Sequence, residues 1–419
     1  MNIYLIIVLA VILGRYLLDL IVDILNVGAL KFEFPQEFIG YYDKDKYTIS
    51  QKYLREKTYF GIVEDTFFTF VIISFILGGG FNLIDRFSRQ FHVGPIITAL
   101  IFLGTLMFLF YILYLPFSVY HIFVIEARYG FNRTTIKTFV LDVIKTVILG
   151  AIIGGIIFSF IVWFFIRFPN IAWFLCWVGV TLFELFFIFI APIVIMPLFN
   201  KFIPLEEGEL KKEIIKYANS QSFLLGGIFK MDASRRSSKS NAFFTGFGKN
   251  RRIVLFDTLI EKHTIPELVS ILAHEVGHYK RRHILKMFII SSLANGLMFF
   301  ILSFFINNEG LFYAFKMDHT SIYASLVFFG FLYTPIQMIF SVVTNFFSRR
   351  YEYEADRFSL ATYKNPEAFI EGLKKLTVDN LSNLTPHPLK VFLHYSHPPI
   401  LKRIEAIRKY ASNGSIKDR

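Results

Sequence analysis

The chain has 419 residues, of which 54% are hydrophobic and 18% aromatic, and only 18% are charged, against roughly 25% in soluble domains. That composition excludes an ordinary soluble fold, and the single cysteine, Cys176, excludes a disulfide framework and a cysteine-based metal site. A formal net charge of +12 would suit nucleic acid in a soluble protein, but in a chain this apolar the basic residues are read as flanking membrane spans, with no nucleic-acid partner.

Seven segments approach the ~20 apolar residues a span needs: roughly 3–26, 66–85, 94–118, 139–165, 171–197, 284–306 and 322–347. The first is read as a retained span, because its apolar core is too long for a cleaved leader. Arg15 and Asp19 interrupt it four residues apart and are expected to pair on one face. Asp142, Lys145 and Glu184 are further charges at membrane depth, expected to pair within the protein. The segments 27–65, 119–138, 198–283 and 348–419 contain 6, 3, 15 and 13 basic residues, whereas 86–93, 166–170 and 307–321 contain 2, 1 and 1. The asymmetry places the first set in the cytoplasm.

Residues 1–197 thus carry five spans and 284–347 a two-span hairpin, while 198–283 and 348–419 form one cytoplasmic unit. Within that unit, Asn241–Phe244 and Ile253–Phe256 read as short strands, with Gly246 and Gly248 turning between them. A helix over 265–282 follows, started by Thr264 and Pro266.

That helix carries the pentad His274-Glu275-Val276-Gly277-His278. Residues four apart share a helix face, so the two imidazoles can hold one metal ion. Glu275 lies roughly 100° round the helix from His274, placed to act on a water without being a ligand. These are the parts of a zinc hydrolase. A catalytic zinc takes a third protein ligand, and the hairpin returns one. Span six starts about six residues after His278, and span seven ends about as far before Glu352. With equal rise in both arms, His278 and Glu352 stand at similar height. Glu352 and Asp356 share a face, so either can be the ligand and the other the residue orienting a histidine. Glu354 points nearly the other way. His283, nine residues after His274, falls on the opposite helix face and is not assigned to the metal.

The pentad, the Glu352-Tyr353-Glu354-Ala355-Asp356 segment and several longer stretches resemble the type I CAAX prenyl endopeptidases, integral membrane zinc proteases. The specific stretches are Arg236 to Phe244, Lys249 to Leu259, Pro197 to Phe202, Tyr395-Ser396-His397-Pro398-Pro399 with Arg403, and the upstream Glu126 to Asn132. The resemblance implies a mainly helical, polytopic protein whose seven helices enclose a chamber closed by a zincin-like α+β domain. It implies one zinc ion held by His274, His278 and Glu352, with Glu275 as catalytic base. It places Asn241 and Ala242 beside an extended peptide, and His397 and Arg403 at the substrate or around the zinc ligands. The expected activity is endopeptidase cleavage of hydrophobic or lipidated substrates in the bilayer, with a membrane-protein quality-control protease as the alternative and a transporter or channel as a remote one. The short connection from Leu259 to the pentad looks like a bacterial-type member, in a cytoplasmic membrane; a eukaryotic member would sit in the endoplasmic reticulum.

Overall fold

The computed structural model describes residues 2–31, 33–245 and 251–412. Among them, seven helices are long and apolar enough to cross a bilayer: Ile3–Gly28, Lys44–Leu77, Pro95–Glu126, Ile136–Arg167, Ala172–Phe199, His283–Ser303 and Ile322–Tyr363. They are spans one to seven. Their outward faces carry exposed apolar side chains, Phe70 at 70% and Leu293 at 61% among them, a surface stable only against lipid.

Span two corrects the expected 66–85. The helix starts at Lys44 and stops at Leu77, and Gly79 turns the chain at φ +72° into a separate helix, Gly80–Arg89. The apolar run continues through the turn, so hydropathy alone cannot see the break; three consecutive glycines at 78–80 mark it. Span three ends in a π-helical stretch, His121–Glu126, and span five contains one, Ala191–Ile195, just before its last turn.

The five charges that the sequence marks at membrane depth find protein partners. Asp142 receives Nε and Nη2 of Arg236 at 2.7 and 2.9 Å. Lys145 Nζ donates to the Leu198 carbonyl at 2.7 Å, and Glu184 accepts from Asn295 at 2.7 Å. Asp19 lies 3.6 Å from Arg15, as the spacing predicts, and is shared with His394 at 3.3 Å. A cavity of about 610 Å³ lies among spans one, two, three and seven, mostly apolar but with Arg15, Asp19 and Asp65 in its wall.

The remaining chain builds a four-stranded sheet of β1 (Phe202–Pro204), β2 (Gly227–Met231), β3 (Ala242–Thr245) and β4 (Arg252–Phe256), in the order β1-β2-β4-β3. β2 and β4 run parallel; the outer pairs are antiparallel. β3 and β4 fall where alternation places them, while the Gly246 and Gly248 turn lies outside the described residues. One face of β4 packs Ile253 and Leu255 on Leu268, Leu272 and Val276 of the pentad helix; the other sends Val254 towards Met231 and Phe243. β3 is an edge strand. Its approach is pinned to the membrane helices: Lys239 Nζ sits 2.7 Å from Glu126 Oε2 and 4.3 Å over the Phe131 ring, and Tyr53 donates to Glu126 Oε1 at 2.6 Å.

The pentad helix runs Ile265–Lys280, started by a reciprocal Thr264–Glu267 capping box and Pro266. It stops two residues short of the expected 282 because Arg282 takes the left-handed conformation, φ +56°, and opens span six. Span seven continues unbroken for 42 residues, about 63 Å, so the segment bearing Glu352 is the membrane helix itself prolonged beyond the bilayer. The two helices touch at Gly277. A methyl group there would stand 3.1 Å from the Ala355 Cα and 3.1 Å from the Phe358 Cβ. Ser359 Oγ adds a hydrogen bond to the Ser270 carbonyl at 2.9 Å. Gly277→Leu is therefore expected to force the helices apart, to cost about 2 kcal/mol or more, and to lower bound metal well below one ion per chain. Metal analysis of the purified variant checks this; wild-type metal content would refute it.

Candidate metal centre

The pentad helix and span seven bring three ligand atoms together. Nε2 of His274 and Nε2 of His278 are 3.1 Å apart. Glu352 places Oε2 3.4 Å from the first and Oε1 3.3 Å from the second. These ligand atoms lie within 4.8 Å of one another, the only such group of three or more His, Cys, Asp or Glu side chains among the described residues.

The other ring nitrogens are already committed. His274 Nδ1 lies 2.8 Å from Asp356 Oδ1. A carboxylate only accepts, so the proton is on Nδ1 and the lone pair of Nε2 faces the centre. His278 Nδ1 meets His283 Nδ1 at 3.1 Å, while His283 Nε2 lies 3.2 Å from Glu354 Oε2. The Glu354 carboxylate fixes the proton on His283 Nε2, which leaves Nδ1 of His283 to accept from His278. Both Nε2 lone pairs then point at one place, which must hold a positive charge. Two nitrogens bound at about 2.0–2.1 Å to a tetrahedral ion stand about 3.3–3.4 Å apart, near the 3.1 Å seen here. The third donor is likewise unspent: the buried Oε2 of Glu352 accepts no hydrogen bond. The residues fit a tetrahedral metal ion.

The structure uses both acidic residues that the helix face left as alternatives. Glu352 faces the centre, and Asp356, fully buried, supports His274. Arg403 clamps Asp356 from behind, Nε to Oδ2 at 3.0 Å and Nη2 to Oδ1 at 2.6 Å, and puts Nη1 3.4 Å from Glu352 Oε2. Burial would lower the arginine's pKa, but Asp356 and Glu352 raise it above its ordinary value. His397, from the loop before the last helix, brings Nε2 within 3.3 Å of Glu352 Oε1 while 65% of its side chain stays exposed. Burial raises the pKa of Glu275, against the opposing pull of the two imidazoles. Among the described residues no hydrogen bond or ion pair engages its carboxylate, so it is available to a substrate or water. Ala242 opens the edge strand β3, and the carbonyl of Asn241 accepts from Phe256 N at 3.1 Å.

His283 is where sequence reasoning fell short. A continuous helix would carry it to the far side, but the left-handed Arg282 turns it back under His278, stacked on Tyr351 at 4.3 Å. Glu354, read as pointing away, is its partner. A run of two arginines after a helix-terminal lysine was the available signal, and it does not specify a left-handed residue.

A paired-imidazole and glutamate centre, flanked by an unengaged glutamate and mounted on a seven-span bundle, defines a multi-pass membrane metalloendopeptidase. Residues 23–201 match the family described as CAAX prenyl protease N-terminal, five membrane helices, and residues 204–411 match Peptidase family M48. A CAAX prenyl protease 1 homolog of Arabidopsis thaliana is 36% identical over 403 residues, 94% of each chain. A human homolog of the same name is 31% identical over 424 residues, 89% of this chain and 88% of its own. The crystal structure of S. mikatae Ste24p superposes with a TM-score of 0.92 at 31% identity, covering 96% of this chain and 99% of that one. The chain belongs to the CAAX prenyl protease 1 family. The expectation of a bacterial-type member is not borne out: these relatives, like those from Oryza sativa and Mus musculus, are eukaryotic, and a short connection before the pentad does not mark origin.

In the metal-free centre, burial would lower the His274 pKa, but hydrogen bonds to Asp356 and Glu352 and their charges raise it to about 9. Raised above its ordinary value of about 6.5, this group stabilises the metal-free fold fully below about pH 6.5 and loses that contribution as pH rises through about 9. A metal must displace the proton lying between the imidazoles. The affinity of the stripped protein for zinc is thus expected to rise about tenfold per pH unit from about 6.5 to about 9 and then level off. Chelator competition at several pH values measures it, and an affinity indifferent to pH would refute the assignment.

Proposed function

We propose that this protein is a zinc-dependent endopeptidase of the endoplasmic reticulum membrane, with its metal centre facing the cytoplasm, that removes the C-terminal tripeptide of prenylated CAAX proteins. The observation carrying the chemistry is the convergence of two imidazole lone pairs and a buried carboxylate oxygen that accepts no hydrogen bond, beside a glutamate whose carboxylate makes no hydrogen bond or ion pair among the described residues. The substrate reading rests on the resemblance to the named CAAX prenyl proteases and on a site built where a membrane helix leaves the bilayer.

His274, His278 and Glu352 would hold the zinc. Bound there, zinc supplies a Lewis acid and lowers the pKa of water towards about 7. Glu275 takes one proton from the attacking water as its oxygen bonds to the scissile carbonyl carbon, then returns it to the nitrogen as the C–N bond breaks. Asp356 and Arg403 keep the His274 ring in one tautomer and orientation. His397 and Arg403 place hydrogen-bond donors beside the developing oxyanion. An extended peptide adds to the free edge of β3 through main-chain hydrogen bonds, with Asn241 and Ala242 beside it. Because that contact reads backbone more than side chains, the same centre could serve a quality-control protease acting on unlipidated chains.

Glu275→Gln is expected to keep about one zinc per chain and lose cleavage by about a thousandfold or more. The assay compares a farnesylated CAAX peptide with its unprenylated twin in purified, reconstituted enzyme. Cleavage surviving in the variant would reject the base assignment, and equal rates on the two peptides would favour the quality-control reading.

A further inference from the structure

Beside the metal centre, a groove of about 740 Å³ runs between the extended helix and the last helix, Ile400–Ser412. Arg349, Arg350 and Arg357 face it from one stripe of span seven, and Lys402 and Lys409 face it from the last helix. Only two carboxylates, Glu354 and Glu405, line it. Arg350 and Lys402 each have a carboxylate neighbour, at 3.4 and 3.0 Å, yet remain 66% and 67% exposed. The other three have none among the described residues. Arg349 donates to the carbonyls of Val391 and Tyr395 at 3.0 and 2.6 Å, Arg357 lies 4.4 Å over the Tyr410 ring, and Lys409 is exposed without an ion pair among the described residues.

Basic residues flanking a span are ordinary; five converging on one cavity, three without a countercharge, are not explained by that rule. The location identifies the missing anion. Phe346, 55% exposed at the membrane end of the groove, belongs to the lipid-facing surface of span seven, and Val391 of the short helix Pro388–His394 adds a second apolar side chain to the lining. A soluble anion has no use for an apolar mouth. A phospholipid fills both parts, its phosphate among the cations and its acyl chains against Phe346 and the lipid-facing surface of span seven. We propose that this groove binds the headgroup of an anionic phospholipid. Pro398 and Pro399 form its inner wall, so the bound lipid holds the last helix and the loop bearing His397 against the bilayer surface.

The test uses the full chain, delipidated in neutral detergent and titrated with phosphatidylserine, phosphatidylcholine or soluble glycerophosphoserine, with bound molecules counted by native mass spectrometry. Binding is read without reference to cleavage, so its outcome stands apart from the peptidase assignment. Phosphatidylserine is expected to bind at least tenfold tighter than phosphatidylcholine, with glycerophosphoserine failing to compete. The triple variant Arg350→Gln, Lys402→Gln, Lys409→Gln, altered only at exposed side chains, is expected to lose that preference by about tenfold or more. Removing the same charge from exposed Lys44, Lys46 and Lys52 is expected to change it less than twofold. Equal binding of the two lipids, an unaffected triple variant, an equal loss in the control variant, or soluble headgroup competing as well as lipid would overturn the proposal.

Discussion

Everything in the active half of this molecule depends on two nitrogen lone pairs being aimed at one point. Left alone, His274 Nε2 and His278 Nε2 at 3.1 Å would repel. They are held there because their opposite nitrogens are tied, one to Asp356 and the other through His283 to Glu354. All three anchors, Glu352 included, come from a single helix, so the geometry is fixed by how closely that helix approaches the pentad. Gly277 sets the distance. The absence of one side chain lets the Ala355 backbone approach to a separation at which even a methyl group would be crowded, and the carboxylates follow.

Close approach brings a cost that the sequence had to meet elsewhere. Asp356 is fully buried and Glu352 nearly so, and two buried carboxylates without countercharge would be expelled or protonated. Arg403, itself buried, offsets them with a bidentate clamp on Asp356 and a third nitrogen towards Glu352. The clamp supplies no ligand. It allows the anions to remain charged in a dry place, which is what a cation at the centre requires. Removing it would leave charge buried and unpaired, typically a loss of about 3–5 kcal/mol, so Arg403 belongs to the fold as much as to the chemistry.

What could be read beforehand follows from where the information lies. The pentad, β3 and β4 are local patterns, and six of the seven spans are apolar runs of sufficient length, and these stand close to where the sequence put them. Equal arm lengths in the last hairpin brought Glu352 level with His278 without any knowledge of packing. Periodicity could not choose between Glu352 and Asp356, because they share one face; only the direction of approach of the second helix separates the carboxylate facing both Nε2 atoms from the one behind His274. The left-handed Arg282, which recruits His283 and Glu354, and the turn at Gly79 inside an apolar run are single-residue backbone events that carry no periodic signature. β1 and β2 were missed for local reasons: β1 is three residues long and ends in Pro204, and β2 opens on the Gly226-Gly227 pair, which reads as a turn.

The five N-terminal spans do more than anchor the catalytic half. The approach to β3 is fixed at two points, and neither partner belongs to the sheet. Arg236 is held by Asp142 of span four, and Lys239 by Glu126 at the π-helical end of span three, with Tyr53 of span two completing the carboxylate's hydrogen bonds. Lys239 stands three residues before Ala242, so less than a turn of extended chain separates the ion pair from the free edge. A π-helical stretch inserts an extra residue per turn and marks functional strain more often than chance; here it carries Glu126. The edge strand, and with it the path an extended peptide would take past the metal, is therefore positioned by the spacing of membrane helices. Movement of spans two, three or four would reach the strand through these two ion pairs.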